Sequence, residues 1–550
     1  MLRWLRISLL VSALLLITGC SSETETQPAT PVPQSSGSNV HYGGTYRVPL
    51  MNSPSTLDPA RVRDHYGEAV VHQLFDGLVQ FGPQLLVVPA LAESWRVEEN
   101  GTVYRFLLRK NARFQNGQPV SAEDVIFSIS RLLRIDPPPA ILPHLLKIQG
   151  AQAFRDRTAS TVVGLEAEND RVVRVRLEEP HAPFLTALGM HFAAIVPKEE
   201  VLRQGEAFSR HPVGSGPFRM ISWEADRAIS LERYPDYYAG KAFLDGIRYV
   251  IYPGVKIEEV FEDFRRGRLE EMPVYGNLWE ELADRKDLKR FHRPALSLLF
   301  YGMNCEHPLL KNPAVRKILS GAIDRASLVE AVYRGQFEPA HSILPPGMPG
   351  YLRRSPSVPA DLPRTRQILR EAIGSTGDSE PTLEIVSGSA SPFARKEIER
   401  IRTQFSQIGV QLEAKFITDW PSFEAYLLSP SMQIYRYAWS ADMPDPDSFL
   451  YPLFASDSPI NFMHYRNPLV DRRLLEAREI LDPVKRAEAY REIEKIVLDE
   501  PPIIPLFYLS VDRVYQAAVQ GVHPSALGAQ TMKLHRVWLQ PAQSTETEKR

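Results

Sequence analysis

The chain has 550 residues, too many for one simple hydrophobic core, so two or three domains are expected. Hydrophobic residues make up 44% of it and charged residues 24%, which is typical of a globular protein and excludes wholesale disorder. The formal net charge of -2 gives no reason to expect nucleic acid or an anionic membrane surface as a partner.

The N-terminus has the pattern of an export signal. Arg3 and Arg6 precede an apolar run from 7 to 17, which is too short to span a bilayer as a permanent helix. The following Ile-Thr-Gly-Cys resembles the bacterial lipobox, in which the cysteine becomes the lipidated first residue after cleavage. We therefore expect a lipoprotein signal peptide over 1–19 and a lipid on Cys20. An ordinary secretory signal with an incidental cysteine is the alternative.

Neither the segment after the signal peptide nor the second cysteine is expected to carry a binding or catalytic site. Residues 20–42 are rich in Ser, Thr, Pro, Gln and Gly, a composition typical of a flexible tether. Cys305 is the only other cysteine, so lipid on Cys20 would leave no intrachain disulfide. In its sequence context Cys305 is expected to be a small buried hydrophobe rather than a nucleophile.

Two hairpins are predicted in the first third of the chain. The first joins Trp95–Val97 to Val103–Arg109 through Asn100-Gly101, and Asn-Gly between alternating apolar runs is a strong hairpin signal. The second spans Val162–Leu177 and turns at Asn169-Asp170. Between them, Ser121 is expected to cap a helix.

The second half of the chain alternates helix and strand. Thr382–Ser387, Phe393–Ile408 and Val410–Phe416 read as strand, helix and strand, with Gly409 ending the helix. Such a unit implies two parallel strands and a covering helix, so an α/β fold is expected here.

One stretch after this unit carries a candidate site. Gln433–Trp439 reads as a strand, and Asp442 follows where a loop beyond the strand end can present a carboxylate to a cleft. Arg436 lies on the strand face opposite Tyr435, Tyr437 and Trp439. An acid and a base this close could clamp a zwitterion. The alternative is a solvated acidic turn after an edge strand.

Signatures of catalysis and cofactor binding are missing. The chain has no His-Glu-x-x-His, cysteine cluster, nucleophile elbow, phosphate loop or dinucleotide fingerprint, so no cofactor or metal site is expected. His72, His181 and His191 are scattered, and each is expected to be an ordinary surface or core histidine. Asp445 and Asp447 could form a glycosidase pair, but acids two apart in a Pro-rich loop are usually solvated. An enzyme is therefore the less favoured alternative.

Several stretches occur together in an order that identifies a family. They are Leu57-Asp58-Pro59, Ala92–Trp95, Leu108–Phe127 with its Asn-Gly-x-Pro-Val-x-Ala-Glu-Asp-Val core, Gly214–Phe218, and Asn312–Arg325. With the lipobox, they resemble the family 5 bacterial extracellular solute-binding proteins, the oligopeptide- and dipeptide-binding components of ABC transporters. Residues 439–450 are similar to the family pattern Trp-x-Ala-Asp-x-x-Glu-Pro-x-Ser-Phe-Leu, with Asp445 in place of Glu.

The resemblance implies an α/β, periplasmic-binding-protein-like fold: two lobes with mixed sheets joined by a hinge, and a smaller inserted third domain. The expected boundaries are 43–90, 189–290 and 503–540 for the first lobe, 91–188 for the small domain, 291–502 for the second lobe and 541–550 for a disordered tail.

The resemblance also implies roles for single residues. Asp442 matches the aspartate that receives the α-amino group of a peptide, and Arg436 matches an arginine that can take its carboxylate. Ala438 and Trp439 match positions where the backbone pairs with the extended peptide, and His65 falls where another backbone contact is made. Peptide length and side-chain preference stay open.

The function implied is that of a monomeric binding protein of an ABC importer, in the periplasm or on the exterior of the cell envelope. It would capture short peptides between its lobes and deliver them to the permease, held at a membrane by lipid on Cys20. Within the family the alternative ligands are a nickel chelate, haem, a sugar or an opine.

Overall fold

A computed structural model describes residues 40–541, apart from 255, 275, 277, 283–284, 355–361 and 374–379. The predicted signal peptide, Cys20, most of the predicted tether and nearly all of the predicted tail lie outside the described residues. Within the described part of the chain, no helix is both long and apolar enough to cross a membrane.

Nineteen strands lie in the described residues. They are β1 (Thr45–Leu50), β2 (Val79–Phe81), β3 (Val87–Pro89), β4 (Ala92–Glu98), β5 (Val103–Leu108), β6 (Leu165–Asn169), β7 (Val172–Arg176), β8 (Phe218–Glu224), β9 (Ala228–Arg233), β10 (Gly246–Ile251), β11 (Glu271–Pro273), β12 (Leu288–Met303), β13 (Glu338–Pro339), β14 (Thr382–Ser387), β15 (Gln411–Phe416), β16 (Ile434–Ser440), β17 (Ile503–Gln516), β18 (Val519–Gln520) and β19 (Trp538–Leu539).

The described α-helices are α1 (His65–Leu74), α2 (Ala122–Leu132), α3 (Leu142–Leu145), α4 (Ala151–Arg155), α5 (Pro183–Ala187), α6 (Lys198–Gln204), α7 (Ile257–Arg265), α8 (Leu278–Glu281), α9 (Pro313–Gly321), α10 (Arg325–Tyr333), α11 (Leu362–Ile373), α12 (Pro392–Ser406), α13 (Trp420–Leu427), α14 (Asp447–Phe454), α15 (Pro468–Glu479) and α16 (Pro483–Asp499). Short 3-10 turns lie at Glu99–Gly101, His191–Ala193, Gly205–Ser209 and Ala529–Thr531.

The first lobe is built on a four-stranded sheet in the order β1-β10-β9-β8, in which only β1 and β10 are parallel. Helix α1 packs on this sheet, and the Tyr249 hydroxyl of β10 donates to the Ala69 carbonyl at 2.9 Å. Asp64 caps the helix by accepting from the Gly67 amide. Because α1 is held by both its core face and its cap, its outer face has a fixed position.

The small domain carries the antiparallel sheet β4-β5-β7-β6, and both predicted hairpins are confirmed. Ser121 caps α2 with a full capping box: its side chain accepts from the Asp124 amide, and the Asp124 carboxylate accepts from the Ser121 amide. Apolar residues of α2 and of the sheet share one core, and Met443 of the second lobe packs into it.

The second lobe contains a seven-stranded mixed sheet in the order β11-β17-β12-β16-β14-β15, with β13 also pairing β17. Strand β14 is parallel to both β15 and β16, and α12 is the crossover between β14 and β15. The predicted strand-helix-strand unit is therefore confirmed. The predicted α/β class, with two lobes and mixed sheets, is also confirmed.

Strands β12 and β17 form one long antiparallel pair that links the lobes. Near one end, Glu271–Pro273 pairs with β17, and near the other, Ser297–Met303 of β12 pairs with β16. The chain thus crosses between the lobes twice, once along β12 and once along β17, and these two strands pair with each other. The boundary expected at 503 falls at the beginning of β17, and Ile503–Tyr508 pair in the second-lobe part of the sheet.

Candidate functional site

A cavity of about 790 Å³ lies between the lobes. The first lobe contributes His65 and Glu68 from α1 together with His191, and the second lobe contributes Ser440–Asp442. The middle of β17 forms part of the lining between them. A cavity of this size, walled by two lobes, can enclose a small ligand.

Asp442 presents its carboxylate to this cavity, directly after the carboxyl end of β16. Its side chain is exposed to the cavity space, while the walls of both lobes shield it from bulk water. No described group makes a hydrogen bond or ion pair with it. Burial raises its pKa and the charge of Glu68 raises it further, whereas His191 and His65 partly offset the rise. Such a carboxylate favours a cationic partner.

Strand β16 has an open edge beside Asp442. Its pairing with β14 ends at Arg436, so among the described residues Tyr437–Ser440 have only β12 as a strand partner. Ala438 and Ser440 are exposed, and a cavity of about 290 Å³ lined by Gly388, Trp420, Tyr437 and Ala438 follows this edge. Unpaired backbone groups of this kind accept an added extended chain.

The Asp442 loop is supported from behind by buried ion pairs. The Asp445 carboxylate binds both terminal nitrogens of Arg486 at 2.6 and 2.8 Å, and Asp447 binds Arg478 at 2.7 and 3.0 Å. The expectation that these acids are solvated is wrong, because Asp445 is 3% and Asp447 2% exposed. Trp439 adds a bond from its indole nitrogen to the Ser448 carbonyl at 2.7 Å.

Arg436 lies on the face of β16 opposite the aromatics, as predicted, but it is already paired. Its Nε and one terminal nitrogen donate to Glu397 of α12 at 2.8 and 3.0 Å. Glu397 is fully buried and also accepts from the Tyr301 hydroxyl at 2.8 Å. Because two nitrogens of Arg436 already bind a buried carboxylate, its role in binding a peptide carboxylate stays a prediction. Arg436 lines the 290 Å³ cavity beside the edge of β16, but not the cavity that contains Asp442.

The first-lobe wall holds a cluster that the sequence analysis missed. Glu68 is surrounded by His65, His72 and His191, so two of the histidines that are scattered in the sequence share one acidic partner. Burial alone would raise the pKa of Glu68, but contacts with the three imidazoles outweigh burial and hold this pKa well below its usual range. The helical spacing of Glu68 and His72 was visible in the sequence, whereas nothing in it signalled His191.

The remaining histidine of the three singled out from the sequence has another setting. His181 is buried in the small domain, where its Nε2 lies 2.9 Å from Nδ1 of His144. Burial lowers the pKa of His181 to about 2, so this imidazole is neutral and belongs to a core. The expectation of an ordinary core histidine is confirmed here.

Comparison with known proteins identifies the family of this chain. The model of the bacterial extracellular solute-binding proteins, family 5 (middle region), matches residues 87–460, which is more than half of the chain. This chain belongs to family 5 of the bacterial extracellular solute-binding proteins. The family consists of binding proteins, and both lobes of this family 5 member contribute to the 790 Å³ cavity described above.

This family 5 protein is similar to proteins that are named for different ligands, as two curated relatives and one solved structure show. A probable di/tripeptide-binding protein of Pseudomonas aeruginosa is 29% identical over 83% of this chain and 88% of its own length. Heme-binding protein A of Haemophilus influenzae is 27% identical over 90% and 92%. The structure of DppA from Helicobacter pylori, in complex with the peptide STSA, has a TM-score of 0.74 and 24% identity, and covers 91% of this chain and 99% of its own.

Proposed function

We propose that this family 5 protein is the substrate-binding component of an ABC importer and captures short peptides in the cavity between its lobes. Asp442 would bind the α-ammonium group of the peptide. The free edge of β16, at Ala438 and Trp439, would pair with its extended backbone, and His65 would contact it from the opposite wall.

The observation that carries this proposal is a carboxylate that has no partner among the described residues and lies at the end of an open strand edge. Backbone hydrogen bonds along the edge are independent of peptide sequence, and the carboxylate fixes the register by selecting the first residue. Every peptide with a free N-terminus offers both a backbone that can pair with the edge and an ammonium group that can bind the carboxylate. Relatives named for the binding of di- and tripeptides, dipeptides and oligopeptides support this ligand class.

The cellular setting is proposed on the family and on the N-terminus of the sequence. Solute-binding proteins of importers act outside the cytoplasm, and relatives with this family fold are named as periplasmic proteins. We propose a lipid anchor on Cys20, an ABC permease as partner and a monomeric state. The lipid assignment is tested by comparing the mass of the mature N-terminal peptide with that from a Cys20→Ser variant.

Identification of the solute that co-purifies with the protein tests the ligand class. The purified protein is unfolded, and the released small molecules are analysed by mass spectrometry. We expect a mixture of short peptides with free N-termini, and their lengths would define the size of the site. A single species without a peptide bond would refute the proposal. Protein that emerges empty is titrated with trialanine, and failure to bind trialanine would refute it as well.

Haem is a second candidate, because one relative is named for haem binding and because His65 and His191 line the cavity. Imidazole is a common axial ligand of haem iron. Titration with haemin and absorption spectroscopy separates the candidates: a saturable Soret shift that trialanine does not reverse would favour haem. We favour the peptide because haem would leave the open edge of β16 without a role.

A further inference from the structure

The cluster around Glu68 has a geometry that peptide binding does not require. Helix α1 places Glu68 and His72 on one face, and the turn at His191 brings a third side chain against them. Glu68 Oε1 lies 3.6 Å from Nε2 of His72 and 3.7 Å from Nδ1 of His191. The three ligand-type atoms all lie within 4.8 Å of one another.

These separations are unusual for hydrogen bonds. An N–H···O bond spans about 2.7–3.2 Å, so both contacts are too long to be good ones. Ligand atoms around a tetrahedral Zn²⁺ are about 3.4 Å apart, given metal–ligand bonds of about 2.0–2.2 Å. The observed 3.6 and 3.7 Å are therefore closer to the edges of a coordination tetrahedron than to hydrogen bonds.

The backbone near the cluster orients His191. Its Nε2 lies 3.4 Å from the Val62 carbonyl oxygen, and its Nδ1 faces Glu68. A backbone carbonyl on the distal nitrogen is a common orienting contact for a metal-binding histidine.

His65 and the cavity complete the surroundings of the cluster. His65 Nδ1 lies 3.2 Å from Glu68 Oε2 and thereby holds the carboxylate with its other oxygen toward the cluster. The three side chains are 12–16% exposed, and Glu68 and His191 line the cavity. A fourth coordination position therefore opens toward the cavity.

We propose that Glu68, His72 and His191 form a site for Zn²⁺ in the first-lobe wall, with its fourth position open to the cavity and opposite Asp442. Two imidazoles and one carboxylate are a ligand set that suits Zn²⁺. The site goes beyond peptide capture, because it needs neither a peptide nor Asp442. A bound cation also replaces the negative wall opposite Asp442 with one that is neutral or positive.

Calorimetric titration of the chelator-treated protein with Zn²⁺, in the absence of peptide, tests this site. We expect one Zn²⁺ per chain, and Glu68→Gln and His191→Ala should each weaken binding by at least about 100-fold, more than loss of an orienting contact does. His292→Ala is the matched control, because His292 binds Asp512 at 2.6 Å outside the cluster, and it should leave the affinity unchanged. Circular dichroism checks that each variant is folded.

Two further measurements separate the outcomes. Co²⁺ should give the intense visible absorption of a four-coordinate ion with the unaltered protein, which tests the site even if a variant fails to fold. Asp442→Asn should retain Zn²⁺ binding while losing peptide affinity, so that failure of one proposal is distinguishable from failure of the other. Weak binding of several ions per chain, or equal loss in His292→Ala, would show adventitious binding and overturn the proposal.

Discussion

The two walls of the cavity each present a carboxylate, but in opposite settings. Glu68 of the first lobe lies among three imidazoles, and its pKa is well below the usual range, since these contacts outweigh the effect of burial. Asp442 of the second lobe has a raised pKa, chiefly through burial and then through the charge of Glu68. The surroundings of the two carboxylates thus suit them to bind different kinds of cation.

The difference shows that surroundings rather than residue type decide what an acid in the cleft can bind. Glu68 lies beside two ring nitrogens at spacings that suit a metal ion, so its proposed partner is an ion enclosed by the protein. Asp442 has no described partner and stands at a free strand edge, so its partner must come with the ligand. Three changes would break or sharpen this comparison, beginning with the largest expected effect.

Removal of the buried ion pair behind Asp442 should have the largest effect, a loss in the free energy of unfolding. Asp445→Ala would leave the guanidinium of Arg486 buried without its carboxylate, and breaking a buried pair in this way costs about 3–5 kcal/mol. We expect a corresponding loss in the free energy of unfolding by denaturant. Asp457→Ala, at an exposed aspartate of the same lobe, is the control and should change little. Equal stability of the two variants would contradict the supporting role.

Methylation of single peptide amides should show whether the peptide pairs with the open edge of β16. If an extended peptide pairs with Tyr437–Ser440, its N–H groups point alternately toward and away from β16. N-methylation of an amide that points toward β16 should cost about 1–3 kcal/mol of binding free energy, and methylation of its neighbours much less. Calorimetry on a series of singly methylated tetra-alanines measures this pattern. A uniform loss along the series would refute strand addition.

Acidification should weaken peptide binding through Asp442 in particular. Its pKa in the free protein is raised, so affinity is complete above that pKa and is lost as the pH falls through it, because the protonated acid no longer attracts an ammonium. Among the described residues, the charges that shift this pKa belong to Glu68, His191 and His65. Calorimetry with a C-terminally amidated peptide should give a pH-dependent affinity for the natural protein and a flatter one for Asp442→Asn. Identical slopes would contradict the assignment.

Local signals in the sequence predicted much of the fold. Hairpin turns, the capping box at Ser121 and the strand-helix-strand unit after Thr382 depend on neighbouring residues, and all are present. The placement of Asp442 just beyond a strand also needed only local pattern. These features could be predicted because their determinants lie within a few residues of one another.

The partners of the charged residues could not be predicted in the same way. Arg436 and Asp442 are close in sequence and suggested a clamp, but Arg436 binds Glu397 of another element. Asp445 looked solvated because its partner, Arg486, lies 41 residues further along the chain. His191 joins Glu68 only through the packing of the first lobe. Long-range pairing of charges depends on tertiary structure, which no local pattern encodes.

The central claim is that Asp442 binds the N-terminal ammonium group of a peptide. Calorimetry with trialanine and N-acetyl-trialanine, each on the natural protein and on Asp442→Asn, isolates that contact as a thermodynamic cycle. We predict that Asp442→Asn costs roughly 2–5 kcal/mol of binding free energy with the free amine. With the acetylated peptide it should cost close to nothing. An equal cost with both peptides, or none with either, would contradict the account.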